Sequence, residues 1–428
     1  MFLVKEHPLL HNLPTPLGNE GDVSNKWWTV LSIAVAELLV LGLWFSASAV
    51  APVLTIEWNL SAAEAAWLTM SVQIGFVAGA FLSALLTLAD IYPPRILFAL
   101  AALAGAAATA AIPAFAGGFG AAVALRFVTG FALAGVYPVG MKIMATWMKE
   151  DRGLGLGLLV GALTVGSASP HLLRALNGAD DWRRVLYVAA VLGMAGGLLG
   201  LVCGRLGPYR GAPAVFRWRY AGRVLRDRGV RLATFGYLGH MWELYAMWTW
   251  IPLFLLESFR AGGSMLPGVS RPVAASLAAF LVIAIGGVGS LAAGWLADRW
   301  GRSRTTILSL LISGSCALII GFLFGENPRL IVLIALIWGF AVVADSAQFS
   351  AAISELAEPD YMGTTLTLQT SLGFLLTLVS IRLVPVLVAR VGWGWAFAVL
   401  ALGPAFGMGA MGALQRSPDA VKLAGGRG

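Results

Sequence analysis

The sequence predicts an all-α membrane protein with twelve transmembrane helices in two pseudo-symmetric six-helix bundles. Of its 428 residues, 59% are hydrophobic and only 12% are charged, whereas soluble chains carry about 25% charged residues. The apolar residues also fall into runs of the roughly 20 residues that a helix needs to cross a bilayer. An internal repeat divides these runs into two halves.

The apolar runs define the spans in order along the chain. Tryptophans stand near many of their ends, where an amphipathic ring prefers to lie at the level of the lipid headgroups. Ser61 and Glu64 form a capping-box pattern that begins the second span. The predicted spans are 27–51, 67–89, 95–116, 119–146, 153–174, 184–204, 230–256, 274–297, 305–325, 330–354, 363–388 and 394–414.

Matching residues recur in the two halves of the chain at a nearly constant spacing. Single matches of this kind arise by chance, but several in the same order do not. The matched pairs are Glu37 and Glu243, Trp44 and Trp250, Asp90 and Asp298, Gly130 and Gly339, and Gly153 and Gly363. The repeat therefore predicts two homologous halves.

The repeat and the basic residues together predict the domain organisation. Residues 27–204 and 230–414 form the two bundles, and the Arg-rich segment 205–229 is the linker between them. The tails are 1–26, which lacks the apolar core of a signal peptide, and 415–428. Most of the 29 Lys and Arg lie on the side of the termini, which predicts that the tails and the linker are cytoplasmic.

The loop between the eighth and ninth spans carries a charged motif. It reads Gly294-Trp295-Leu296-Ala297-Asp298-Arg299-Trp300-Gly301-Arg302-Ser303-Arg304. This resembles the G-x-L-A-D-R-x-G-R-x-R signature of the major facilitator superfamily, whose members are secondary transporters. The counterpart after the second span keeps Asp90 and Arg95 but has Pro93-Pro94 instead of a Gly-Arg pair.

The resemblance implies that this motif is a gate. The carboxylate of Asp298 can pair with Arg299, Arg302 or a neighbouring helix end, and such a pair can break as the two halves rock. Alternatively, the charges mark topology and form surface ion pairs worth only ~0–1 kcal/mol each. The expected gating residues are Asp90, Arg95, Gly294, Asp298, Arg299, Gly301, Arg302 and Arg304.

Two charged residues of the first half lie within predicted spans. A charge at the bilayer centre costs roughly 2.5–3.5 kcal/mol on insertion scales, so it calls for a partner or a cavity. Glu37 lies near the middle of span one and Arg126 lies in span four. Arg126 and Gly130 also resemble the R-x-x-x-G pattern of proton-coupled drug antiporters in the same superfamily. We predict a Glu37–Arg126 pair that accepts a proton or yields to substrate; the alternative is a static structural pair.

The second half adds further candidates for substrate binding or proton coupling, namely His240, Glu243 and Asp345. Aromatic rings beside carboxylates can bind an organic cation or a planar ligand, although such rings equally often only pack helices together. His240 can likewise be a packing residue rather than a proton carrier. The candidates to line a central cavity are Trp44, Gln73, Trp242, Tyr245, Trp248 and Gln369.

No motif of an enzyme or an ATP-driven pump is present, so we expect no catalytic residue, cofactor or metal. We predict a monomeric, proton-coupled secondary active transporter of a small organic solute, with efflux antiport preferred to uptake of an organic anion clamped by Arg126. The alternative from another class is a non-transporting receptor or assembly factor.

The Ala-, Gly- and Arg-rich composition predicts that the protein is bacterial and lies in the cytoplasmic (inner) membrane. The net charge of +8 lies in loops beside the lipid bilayer, which predicts no nucleic-acid partner.

Overall fold

The computed structural model describes residues 20–148, 152–177, 181–209, 218–220, 222, 226–263 and 268–428. Every regular element in these ranges is helical. Residues 1–19 of the predicted N-terminal tail and residues 210–217, 221 and 223–225 of the predicted linker lie outside the described residues.

Seven helices form the six spans of the first half, because the fourth span is made of two helices. They are α1 (Glu20–Glu57), α2 (Ala62–Leu85), α3 (Pro94–Phe115), α4 (Phe119–Leu133), α5 (Tyr137–Ala145), α6 (Arg152–Leu176) and α7 (Trp182–Cys203). The predicted capping box of α2 is confirmed, since the Ser61 hydroxyl accepts from the backbone N–H of Glu64 and the Glu64 carboxylate accepts from that of Ser61.

Another seven helices form most of the second half, in which the tenth span is made of two helices, as the fourth is in the first half. They are α8 (Arg228–Gly262), α9 (Arg271–Trp300), α10 (Arg302–Ile319), α11 (Pro328–Ala344), α12 (Ser346–Leu356), α13 (Pro359–Val391) and α14 (Leu402–Gln415). A short helix, Trp393–Ala396, precedes α14 and belongs to the same span. We call the side on which α7 ends and α8 begins the linker side.

Eleven spans among the described residues are both long enough and apolar enough to cross a bilayer. The twelfth, α8, has 35 residues but is more polar, since it carries His240 and Glu243, both of them buried. A helix enclosed by other helices tolerates such residues when they find partners. The prediction of a twelve-helix membrane protein is therefore confirmed.

The two divided spans break at equivalent places in the two halves. Between α4 and α5 the break precedes Pro138, which has no N–H to bond the carbonyl of Ala134 and so interrupts the helix. Between α11 and α12 the break lies at Asp345, which ends one helix and begins the next. Broken helices in a membrane are tolerated where the freed backbone is buried in protein or lines a cavity.

Glycines bring helices into close contact within each half. A Cβ atom on Gly130 would overlap the backbone carbonyl of Val72 in α2, and one on Gly339 would overlap that of Val282 in α9. The two repeated glycines thus make the same helix–helix contact in both halves. Between the halves, α6 packs on α9, with Gly161 against Gly287.

Candidate functional site

Six aromatic side chains meet between the two halves, and we call them the aromatic cluster. They are Trp44 and Phe45 of α1, Phe76 of α2, Tyr245 and Trp248 of α8, and Phe374 of α13. The Trp44 ring centroid lies 5.4 Å from that of Phe374 and 5.9 Å from that of Tyr245, and Phe45 lies 5.8 Å from Trp248. All six side chains are buried. Trp44, Tyr245 and Trp248 are therefore brought together from the two halves.

Two indole N–H groups of the aromatic cluster have no hydrogen-bond acceptor among the described residues. They belong to Trp44 and Trp248, one from each half. An indole nitrogen can only donate, and a buried donor without an acceptor costs about 1–3 kcal/mol. Both groups are therefore available to an acceptor that the described residues do not supply.

Two buried glutamines, Gln73 and Gln369, have polar side-chain atoms that lack partners among the described residues. The Thr377 hydroxyl of α13 lies 2.7 Å from the amide oxygen of Gln73 in α2, which joins the two halves. The same hydroxyl lies 2.6 Å from the Phe374 carbonyl, and its single proton cannot serve both acceptors. Whichever way the Gln73 amide is turned, one of its polar atoms therefore stays without a partner. The side-chain nitrogen of Gln369 also has no partner in the described part of the chain.

Arg126 is buried and donates four hydrogen bonds, three of them to backbone carbonyls. Its Nη1 donates to the Leu43 carbonyl (2.7 Å) and to the Ser46 hydroxyl (3.3 Å), its Nη2 donates to the Trp44 carbonyl, and its Nε donates to the Leu68 carbonyl (3.1 Å). These contacts tie α4 to α1 and α2 just beside Trp44. Neutral carbonyls solvate the guanidinium but do not neutralise its charge.

The predicted Glu37–Arg126 pair is not formed. Glu37 is buried, and neither of its carboxylate oxygens has a hydrogen-bond partner among the described residues. Six residues separate Glu37 from Leu43, about 9 Å along a helix, so Arg126 reaches a different level of α1. The carboxylate lies instead against Gly140 of α5, where an added Cβ would come within 2.8 Å of the Glu37 Cδ.

The polar residues of the second half form two separate groups. Glu243 accepts hydrogen bonds from the Ser313 hydroxyl (2.8 Å) and the Trp338 indole (2.7 Å), so it faces the interior of its own half. His240 Nδ1 lies 2.8 Å from an oxygen of Asp345, an ion pair when the histidine is protonated. The other ring nitrogen lies 3.0 Å from the Ser346 hydroxyl. This second group links α8 to the break between α11 and α12.

Trp242 does not lie in the central cavity, which is its predicted position. Its indole nitrogen donates to the carbonyl of Val399 (3.1 Å), in the last span. The ring therefore packs α8 on the segment before α14 and lies within the second half. The helical spacing explains the difference, because Trp242 and Trp248 are six residues apart and project from different faces of α8.

The gating motif forms a different ion pair from the predicted one. Arg302 makes a bidentate pair with Glu355 of α12 (2.8 and 2.6 Å) and also donates to Gln348 (2.9 Å). Asp298 is exposed and makes no ion pair with Arg299 or Arg302 among the described residues. The Arg299 guanidinium instead lies 3.8 Å from the centroid of Trp295.

The other residues of the motif have structural positions. Gly301 has a φ of +97°, which favours glycine, and ends α9. Gly294 and Arg302 line a small cavity of about 210 Å³ together with Leu156 of α6, from the opposite half. Arg304 is exposed. The pair between Arg302 and Glu355 therefore stands at the seam between the halves, on the linker side.

The first half has a related ion pair with the charges exchanged. Asp90, after α2, pairs with Lys142 of α5, which also donates to the Ala89 carbonyl. Arg95 takes no part and lies exposed beside Pro93 and Pro94. Sequence reasoning missed Lys142 and Glu355, although both stand at the linker-side ends of corresponding spans, four and ten.

The comparisons with known proteins agree with this architecture. The sequence model described as Major Facilitator Superfamily matches residues 33–287 and 233–427. A Bacillus subtilis protein named as niacin/nicotinamide transporter NiaP is 26% identical over 289 residues, which are 66% of this chain and 68% of that protein. A Cupriavidus necator protein named as sulfoacetate transporter SauU is 25% identical over 289 residues, 60% of this chain and 64% of that protein.

Solved structures show the same fold. A crystal structure of a variant of nucleoside transporter NupG has a TM-score of 0.69 at 17% identity, covering 90% of this chain and 99% of that one. A bacterial homologue of the human lysosomal transporter Spinster, inward-facing and unoccupied, has a TM-score of 0.65 at 15% identity, covering 93% of this chain and 95% of that one.

Proposed function

This chain belongs to the major facilitator superfamily, and we propose that it takes up a small planar organic anion together with protons. Its family and its named relatives are membrane transporters of small solutes, not enzymes. The proposed transport is the rocking of the two halves about a site between them, and the linker side is proposed to be cytoplasmic.

The main support for an anionic substrate comes from the indole N–H groups of Trp44 and Trp248, which have no acceptor among the described residues. Both are donors, they come from opposite halves, and they belong to one cluster of aromatic rings in tilted and edge-to-face contact. A flat ligand with carboxylate or carbonyl oxygens would find donors on both sides and aromatic faces around it. A cation offers no acceptor to either indole and would gain only the ring faces.

The charge of Arg126 supports the same substrate class. Its guanidinium is buried beside Trp44 with carbonyl and hydroxyl partners but no carboxylate among the described residues. A buried cation that lacks a counter-ion is costly, and an anionic ligand next to it recovers part of that cost. This favours an anion over the cationic substrate that the acidic residues of the sequence had suggested, because Glu243 faces away from the aromatic cluster.

The names of the relatives fit this proposal. Niacin is a planar aromatic carboxylate, nicotinamide is its uncharged amide, and sulfoacetate is a small dianion, so niacin and sulfoacetate share a carboxylate group. The aromatic cluster of the present chain suits the planar one better. We therefore propose an aromatic or heteroaromatic carboxylate.

A thermal-shift screen of the purified protein tests the substrate class. The probes are nicotinate, its uncharged isostere nicotinamide, benzoate, sulfoacetate and benzylamine. A ligand at 100 times its Kd adds about 2.7 kcal/mol to the free energy of unfolding, so we expect nicotinate or benzoate to raise the melting temperature and benzylamine to leave it unchanged. Stabilisation by benzylamine alone would contradict the proposal and support efflux of a cation.

The paired substitutions Trp44→Phe and Trp248→Phe locate the site. Each keeps an aromatic ring but removes one indole N–H, so the protein should fold while anion binding weakens about 5- to 150-fold, as expected for ~1–3 kcal/mol of hydrogen bonding. Trp250→Phe is the matched control, because that indole donates to the Ile381 carbonyl within the second half. Anion affinity equal to that of the native protein in both cluster variants would place the site elsewhere.

Glu37 is proposed as the proton carrier, and Glu37→Gln and Glu243→Gln form a matched pair that tests this role. Glu37 has no hydrogen-bond partner to lose, so Glu37→Gln should keep the native stability but make substrate uptake independent of an imposed pH gradient. Glu243→Gln disturbs two hydrogen bonds and should lower the free energy of unfolding by about 1–3 kcal/mol. If substrate uptake and unfolding of the Glu37→Gln variant kept the pH dependence of the native protein, Glu37 would not be the proton carrier.

A further inference from the structure

The C-terminal segment after α14 packs back onto the ion pair of the gating motif. Residues Pro418–Gly425 form a helical turn on the linker side, and Leu423 of this turn is fully buried. The backbone N–H of Ala424 donates to an oxygen of Glu355 (3.0 Å), the same carboxylate that binds Arg302. We call residues 418–428 the docked tail.

The backbone of the docked tail is bent to make these contacts. Ala424, Gly425 and Gly426 have φ values of 47°, 65° and 93°. The left-handed region is sterically unfavourable for alanine, and such strain persists only where surrounding contacts hold it. The bend turns the chain so that the guanidinium of Arg427 donates to the Asp298 carbonyl at the end of α9.

The docked tail thereby bridges the two parts of the gate. It contacts α9 through Asp298 and the adjacent Gly301, where an added Cβ would overlap the Arg427 carbonyl. It contacts α12 through Glu355. Arg302 follows Gly301 directly as the first residue of α10, and Glu355 belongs to α12. Both side chains line the cavity shared with Leu156 of the opposite half.

A similar arrangement in the first half supports a positioning role. The segment that follows α7 caps the end of α5, since Gly207 donates to the Thr146 hydroxyl (2.7 Å) and Tyr209 to the Thr146 carbonyl (3.0 Å). In each half, therefore, the chain that leaves the sixth span braces the linker-side end of the fourth. The connecting chain of the first half continues to α8.

We propose that the docked tail is a positioning element of the gate, which holds the Arg302–Glu355 pair in place while the linker side is closed and detaches when it opens. This rests on the proposed rocking of the halves, but not on the substrate. Loss of the tail contacts would leave Glu355 with Arg302 alone and free the end of α9. The seam at Leu156 would then open more often.

Thiol labelling of Leu156→Cys tests the proposal without any substrate. The two native cysteines, Cys203 and Cys316, are buried and are replaced by serine in this background. Adding Arg427→Ala should raise the rate of maleimide labelling about fivefold, the effect of a modest change in a two-state equilibrium, with an unchanged melting temperature. Arg427→Lys, which keeps a donor, should restore most of the slow rate, and Leu423→Asp should exceed Arg427→Ala.

Lys422→Ala is the matched control within the docked tail. Lys422 pairs with Asp419 of the same turn and not with Glu355 or Asp298 among the described residues, so this variant should leave the labelling rate unchanged. A labelling rate in Arg427→Ala equal to that of the parent would overturn the proposal, as would an equal increase in Lys422→Ala. Since Arg427 is exposed, its variants test the proposal even if Leu423→Asp fails to fold. A failed anion screen would leave this result unaffected.

Discussion

Gly339→Ala and Gly130→Ala are each expected to lower the free energy of unfolding by about 1–3 kcal/mol or more, the cost of overpacking a close contact. The added methyl group would overlap a backbone carbonyl of the facing helix, Val282 for Gly339 and Val72 for Gly130. Backbone cannot rotate aside as a side chain can, so α11 would have to move away from α9, or α4 from α2. The measurement heats the detergent-solubilised protein to a series of temperatures and follows, by fluorescence, the fraction that remains monodisperse.

Gly409→Ala is the matched control for these substitutions. Gly409 lies in the middle of α14 with nothing within 4 Å of an added Cβ, and alanine is a better helix former than glycine by about 1 kcal/mol. This variant should therefore be as stable as the native protein or slightly more stable. If Gly339→Ala behaved like Gly409→Ala, the close approach of α9 and α11 would be wrong.

The fold could be predicted because its signals are local in the sequence. Apolar runs and flanking tryptophans define a span, and the repeated pairs, such as Gly130 with Gly339, order the spans into halves. The break in span four also had a signal, Pro138, which removes a backbone hydrogen bond. The break at Asp345 had none, since no proline or glycine stands there.

The site could be predicted only in part, because side-chain partners depend on packing. Trp44, Tyr245 and Trp248 were found as aromatic residues beside charges, whereas Phe76 and Phe374 cannot be told from lipid-facing phenylalanines by sequence. The Glu37–Arg126 pair was wrong because the partners of Arg126 are backbone carbonyls, which every residue has and no sequence pattern shows. Lys142 and Glu355 resembled ordinary charged residues near the ends of spans.

Arg126→Met is expected to weaken anion binding strongly while the protein stays folded. Methionine keeps much of the side-chain volume and removes a buried charge that is costly without a counter-ion, and the carbonyls that Arg126 contacts lie within the helices α1 and α2. One hydrogen bond to a charged group contributes about 1.5–3 kcal/mol, so anion affinity and uptake should fall at least ten- to hundredfold. Arg126→Ala should lose the fold as well, because it also leaves a cavity.

Arg183→Met is the control for charge removal, since Arg183 pairs with Glu57 at an exposed site of the same half and should change neither stability nor uptake. The comparison of Arg126→Met with the native protein separates two functions of one side chain. If Arg126→Met unfolds, the guanidinium is needed to hold α4 against α1 and α2. If it folds and transports the anion normally, the positive charge is not the anion clamp, and the indoles of Trp44 and Trp248 must recognise an uncharged acceptor. If it folds and loses only the anion, the buried charge beside the aromatic cluster determines the substrate class.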